Sequence, residues 1–152
     1  MTHIDFMRRA IELSRQNMRQ GAGGPFGAVI VRNGEGWNKV TSSHDPTAHA
    51  EVTAIREACR QVKDFSLKDS IIYTSCEPCP MCLAAIYWAR IDRIYYANTR
   101  QQAADIQFDD SLIYDEIPKP IDRRLIPTEQ ILNAEALAVF KEWDEKSDKI
   151  RY

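Results

Sequence analysis

A layered α/β fold follows from three features of this 152-residue sequence. Short apolar runs rich in β-branched and aromatic residues punctuate it: Ala28-Val29-Ile30-Val31, Ser70-Ile71-Ile72-Tyr73-Thr74 and Ile94-Tyr95-Tyr96-Ala97. Between them lie stretches whose apolar residues recur at helical spacing. The resulting order is helix, hairpin, helix, strand, helix, strand. Helices joining strands of one sheet imply parallel neighbours with helices packed on the sheet.

The first helix is expected over roughly 3 to 20. Thr2 and Asp5 resemble a capping box, Phe6, Ala10, Leu13 and Asn17 or Met18 mark one face, and Gly21 is the stop. Gly23 to Gly27 reads as a loop before the first strand. Asn33-Gly34 is a strong signal for a tight hairpin, so a second strand returns through Trp37 and Asn38. Thr41 to Pro46 is polar loop. From Thr47 the pattern is helical, with Ala48, Val52, Ile55 and Cys59 on one face. The third strand delivers the chain to Ser75-Cys76-Glu77-Pro78-Cys79-Pro80-Met81-Cys82, and a helix from Met81 to Arg90 leads to the fourth. A short helix is expected within 105–117, and a fifth strand within Leu125 to Leu132. Asn133 then caps a final helix through Ala136, Leu137, Phe140 and Trp143. The whole chain, 1–152, reads as one domain, with 133–152 its C-terminal helix and tail.

Composition narrows the functional classes. Hydrophobic content of 44% suits a globular protein with a core. A net charge of −2, from 20 basic and 22 acidic residues, argues against nucleic acid as the main partner. No run is long and apolar enough for a membrane span, and the N-terminus lacks a basic region followed by an apolar one. A cytoplasmic protein is therefore expected, and Cys59, Cys76, Cys79 and Cys82 read as thiols or metal ligands.

Pro46-Thr47-Ala48-His49-Ala50-Glu51 and Pro78-Cys79-Pro80-Met81-Cys82 carry the chemistry. One imidazole and two thiolates are donors zinc prefers, and three protein ligands leave a fourth position for water. Cys79 and Cys82, three apart at a helix start, present both sulfurs on one face, where the helix N-terminus favours thiolate. Glu51, two residues after His49, is placed to take a proton from that water and return it to a substrate. Two other readings stand beside this one. Cys79 and Cys82 could be a redox pair, or half of a structural zinc site completed by His44 or Cys76. Glu51 could be a solvated helix residue.

With His49, Glu51, Pro78, Cys79 and Cys82 in this pattern, the chain resembles the zinc cytidine-deaminase superfamily. Gly24-Pro25-Phe26-Gly27-Ala28-Val29, Asp45 to Val52, Tyr73 to Cys82, Ile86-Tyr87-Trp88-Ala89-Arg90, Phe108-Asp109-Asp110-Ser111 and the terminal Tyr152 resemble, more narrowly, its bacterial guanine deaminases. The resemblance implies a three-layer α/β/α fold with a mixed five-stranded sheet, one zinc per chain on His49, Cys79 and Cys82, and Glu51 as proton shuttle. It further implies a small purine base as substrate. Asn38 and Ala50 would contact the base, Asp110 would read its amidine edge, and Phe26 and Trp88 would wall the pocket. Tyr152 would close the site from a domain-swapped C-terminal segment in a homodimer.

Plainer roles compete with several of these. Phe26 and Trp88 are also ordinary core aromatics, Asp110 could cap a helix at Ser111, Asn38 could be a turn residue, and termini fray. The rivals for the whole chain are a tRNA adenosine deaminase, a deaminase of another aminated ring, and a structural zinc module. The hairpin from Val31 to Trp37 is about four residues shorter than the family's; an even difference keeps each side chain on its face, so Asn38 should still point inward.

Overall fold

Thr2 and Asp5 begin the first helix, α1 (His3–Arg19), with a complete capping box: the Asp5 N–H donates to Thr2 Oγ1 and the Thr2 N–H to Asp5 Oδ2. The stop expected at Gly21 is a Schellman motif, in which the Gly21 N–H donates to the Met18 carbonyl and that of Ala22 to Asn17. In this computed structural model the described residues are 1–31 and 34–152. They divide into two compact units, Met1–Asp110 and Ser111–Tyr152.

The first unit holds a four-stranded mixed sheet. Its strands are β1 (Gly27–Ile30), β2 (Gly34–Trp37), β3 (Ile71–Cys76) and β4 (Arg93–Asn98), in the spatial order β2-β1-β3-β4. β1 is antiparallel to both β2 and β3, and β3 and β4 are parallel. The strands alternate faces as a pleat requires. Val29 and Tyr73 point to one side and pack with Ala10 and Leu13 of α1. Ala28, Ile30 and Ile72 point to the other, against α3 (Ala50–Val62) and α4 (Pro80–Trp88), where Ala54, Ala58 and Ile86 complete the cluster. The three-layer α/β/α arrangement is thus present within this unit.

α3 packs unusually close to β2. A Cβ on Gly36 would lie 2.2 Å from the Ala50 carbonyl oxygen, so only glycine lets the strand touch the helix's first turn. That contact fixes the start of α3, and with it His49 and Glu51.

Several boundaries differ from the sequence expectation. Asn33 of the expected two-residue turn lies outside the described residues. Gly34 is already in β2, paired with Ile30. The polar stretch after Asn38 contains a short helix, α2 (Val40–Ser43), which His44 ends in the left-handed conformation. The short helix expected within 105–117 is α6 (Ser111–Glu116); an unexpected helix, α5 (Arg100–Asp105), precedes it, and Gln107 between them turns to a φ of 73°.

The fifth strand does not form: among the described residues 125–132 pair with no strand, and the sheet has four strands instead of five. Pro127 lacks an N–H for a ladder, and the Leu125 N–H is already committed to Glu116 Oε2. Asn133 does not cap the last helix, α7 (Asn133–Glu145), but is its first residue; Leu132 precedes it with no side-chain cap. No helix among the described residues is long and apolar enough to cross a membrane.

Candidate metal centre and active site

Two helix starts build the centre. His49 and Cys79 are the N-cap residues of α3 and α4, both with extended backbones (ψ 159° and 169°) that turn their side chains off the helix ends. Pro80 follows as the first helical residue, where its missing N–H has no consequence. Cys82 lies on the next turn of the same face, fully buried. His49 Nδ1 sits 3.5 Å from each of the Cys79 and Cys82 sulfurs.

These distances test the fit of a metal. A tetrahedral zinc about 2.3 Å from sulfur and about 2.0 Å from nitrogen would separate those atoms by roughly 3.5 Å. Among the described residues His49, Cys79 and Cys82 form one group of potential ligands, and neither His44 nor Cys76 joins it. The donor set is therefore that of a zinc with an open position, and a four-ligand structural site lacks its fourth residue.

The electrostatics agree. The Cys79 thiol falls to about 4, because a hydrogen bond from Cys82, another from His49 and the imidazolium charge stabilise its thiolate. The Cys82 thiol is pushed up by its bond to that thiolate, by burial and by the Glu51 charge. His49 is raised above the usual imidazole range by its bond to Cys79. Two sulfurs and an imidazole thus share protons in a space where a bound zinc would replace them.

Glu51 lies in the first turn of α3 and is only 6% exposed. Burial raises its carboxyl above the ordinary glutamate range, opposed by a hydrogen bond from Thr74 Oγ1 to Glu51 Oε1 at 2.9 Å. A buried carboxyl with a raised pKa beside a metal-ligand group can both accept and release a proton near neutrality. This excludes the solvated-glutamate reading of the sequence.

Asn38 follows β2 and is also buried. Its Oδ1 accepts from the N–H groups of Gly24 and Val40, both at 3.1 Å. A Cβ on Gly23 would fall 2.2 Å from that oxygen, so the loop clamps the amide. With its oxygen saturated, Asn38 can present only its Nδ2 donor to a ligand. Ala50 is the first residue of α3, and its N–H is among those a helix leaves without an internal acceptor.

Phe26 packs edge-on against Phe108, ring centroids 5.0 Å apart, with Gly24 beneath both. Asp110 is half-buried, and burial together with the Cys79 charge raises its carboxyl. The carboxyls of Glu51, Glu77 and Asp110 all act on the Cys76 thiol, which burial first and these charges second push up to about 11. Glu51 and Asp110 therefore lie near the cysteine cluster, while Asn38 is held by the Gly24 and Val40 amides.

Trp88 is not brought there by its own helix. It ends α4, about 13 Å along the axis from Cys79, exposed beside the Arg90 guanidinium. Tyr152 is an exposed residue at the end of the second unit.

The sequence reading missed three contributors: Thr74, Phe108 and the Gly23-Gly24 clamp. Thr74 alone left a signal, as a polar residue two positions after Ile72 on the inward face of an apolar strand. Glu77 ties its loop to the start of α5, with Oε1 accepting from the Arg100 N–H.

Comparison with known proteins agrees with this geometry. Residues 1–98 match the family of the cytidine and deoxycytidylate deaminase zinc-binding region. Guanine deaminase of Bacillus subtilis (strain 168) is 52% identical over the full length of both chains. A solved structure of Bacillus subtilis guanine deaminase superposes with a TM-score of 0.96, covering 100% of this chain and 99% of that one. A guanine deaminase structure from Nitrosomonas europaea gives 0.68 at 25% identity, over 80% and 69% of the two chains. A tRNA-specific adenosine deaminase of Haemophilus influenzae is 42% identical, but over only 59% of this chain and 54% of its own.

Proposed function

The chain belongs to the cytidine and deoxycytidylate deaminase zinc-binding family, and from that premise we propose that it hydrolyses guanine to xanthine and ammonia. The observation that carries the chemistry is the buried Glu51 carboxyl set beside a three-ligand His49–Cys79–Cys82 group. The substrate is supported by the full-length likeness to a guanine deaminase, where the tRNA deaminase likeness covers about half.

His49, Cys79 and Cys82 hold one zinc per chain. Zinc, when bound, supplies the Lewis acidity that lowers the pKa of water to about 7. Glu51 takes one proton of the attacking water and delivers it to the ring, then takes the remaining hydroxyl proton and delivers it to the departing amine, so guanine and water become xanthine and ammonia. Asn38 donates from Nδ2 to an acceptor on the base, and the Ala50 N–H supplies a second donor. Asp110 accepts from the amidine edge, whose ring N–H and amine are both donors. Phe26 walls the pocket.

The protein acts as a homodimer in this reading. Ser111–Tyr152 contains no buried side chain, though Leu137, Phe140 and Trp143 lie in its last helix. A segment this short rarely folds around a core of its own. Exchange of this unit between two copies would cover it and bring Tyr152 to the partner's pocket. The cytoplasm suits a site that depends on free thiols.

Ammonia release from guanine, adenine, cytosine, guanosine and adenosine tests the reading. Guanine is expected to react fastest. A rate on guanine no better than on the others removes the substrate assignment and leaves the deaminase class standing.

A further inference from the structure

Thr74 occupies an unusual position in this site. It is 1% exposed, two residues along β3 from Ile72, and so faces α3 and the Glu51 carboxyl. Its Oγ1 lies 2.9 Å from Glu51 Oε1 and 2.9 Å from the Cys76 carbonyl oxygen. A hydroxyl has one hydrogen and can donate to only one of these acceptors at a time, while its own lone pairs can accept.

We propose that Thr74 is the positioning residue for Glu51, its buried hydroxyl fixing where the carboxyl stands. The inference rests on the reading of Glu51 as proton carrier. While Glu51 is a carboxylate, the Thr74 hydroxyl donates to Oε1. Once Glu51 has taken a proton from water on its other oxygen, Oε1 is the carbonyl oxygen of the neutral acid and still accepts from Thr74, so the heavy atoms stay where they are. No proton leaves Thr74.

This arrangement matters because Glu51 must meet two partners in succession, the attacking water and the departing amine. A carboxyl that swung away after gaining its proton would have to find its place again before delivering it. Misplacement of a catalytic group by about 1 Å can cost on the order of a hundredfold in rate. Thr74 touches neither substrate nor metal in this scheme and acts only through Glu51.

The test compares Thr74→Val, which replaces the hydroxyl by a methyl of similar size, with Thr74→Ser, which keeps it. Thr74→Ala serves the same purpose should the valine variant fail to fold. Glu51→Gln is run in parallel. Zinc content, melting temperature, kcat and KM for ammonia release are measured for each. Thr74→Val is expected to lose about 10- to 100-fold in kcat with KM changed less than about threefold, zinc retained, and Thr74→Ser within about threefold of the parent. A crystal structure of Thr74→Val is expected to show the Glu51 carboxyl displaced.

A purely structural role would lower melting temperature and zinc content together and would not be rescued by serine; either result overturns the proposal. So does a Thr74→Val enzyme as fast as the parent. If Glu51→Gln is inactive while Thr74→Val is not, only this inference falls. If Glu51→Gln itself turns over freely, the reading of Glu51 falls and this inference falls with it.

Discussion

Residues Met1–Asp110 fold around two apolar clusters, one on each face of the sheet, whereas Ser111–Tyr152 has no buried side chain at all. The two stretches do not differ because one is apolar and the other polar. Leu112, Ile113, Ile117, Leu125, Ile126, Leu137, Phe140 and Trp143 are as greasy as anything in the first unit, yet each is exposed. What the second unit lacks is a surface of its own to pack on. In the first unit the helices α1, α3 and α4 each pack on a sheet face. In the second, the segment expected to form a strand has no strand beside it. A large exposed apolar area in a soluble protein marks an interface. The first unit thus holds the His49–Cys79–Cys82 group and the buried Glu51 and Asn38, and the second unit's contribution depends on what it meets.

The largest effect that would test this division is Glu51→Gln. If the chemistry belongs to the first unit, the variant loses at least about a thousandfold in kcat while keeping one zinc per chain. Substantial turnover would take Glu51 out of the reaction.

Zinc removal comes next. A chelator is expected to abolish ammonia release while circular dichroism still reports the folded sheet and helices. The two clusters that hold the first unit are far more extensive than the three-ligand group. Unfolding on chelation would make the centre structural.

The smallest effect concerns the second unit. Deleting Lys149 to Tyr152 is expected to lower turnover by about tenfold with zinc content unchanged, as for a residue that closes a pocket but makes no chemistry. Unchanged turnover would remove Tyr152 from the site and leave the second unit a role in assembly alone.

Much of the first unit was legible from sequence because its signals are local. The Thr2–Asp5 box and the stop at Gly21 each depend on residues within one turn, and the strand through Ile71, Ile72 and Tyr73 shows as a local apolar run. The metal ligands were legible for the same reason. Two donors three apart at a helix start share a face whatever the rest of the chain does, and few other residue sets bind zinc while leaving water a place. The expected strand over 125–132 failed for the opposite reason. A strand is defined by its neighbour, and apolar content alone does not supply one.

The sequence by itself therefore determined the reaction class, through His49, Glu51, Cys79 and Cys82, since donor chemistry and short-range spacing are properties of the chain. Only the tertiary structure decided how those groups are held. It placed a Cβ-free Gly36 against α3 so that two helix starts converge. It saturated the Asn38 oxygen with the Gly24 and Val40 amides so that a donor faces outward. It set the Thr74 hydroxyl between Glu51 and the Cys76 carbonyl. Each of these includes a contact between residues far apart in the chain, where direction as well as proximity matters, and no periodicity in the sequence encodes direction.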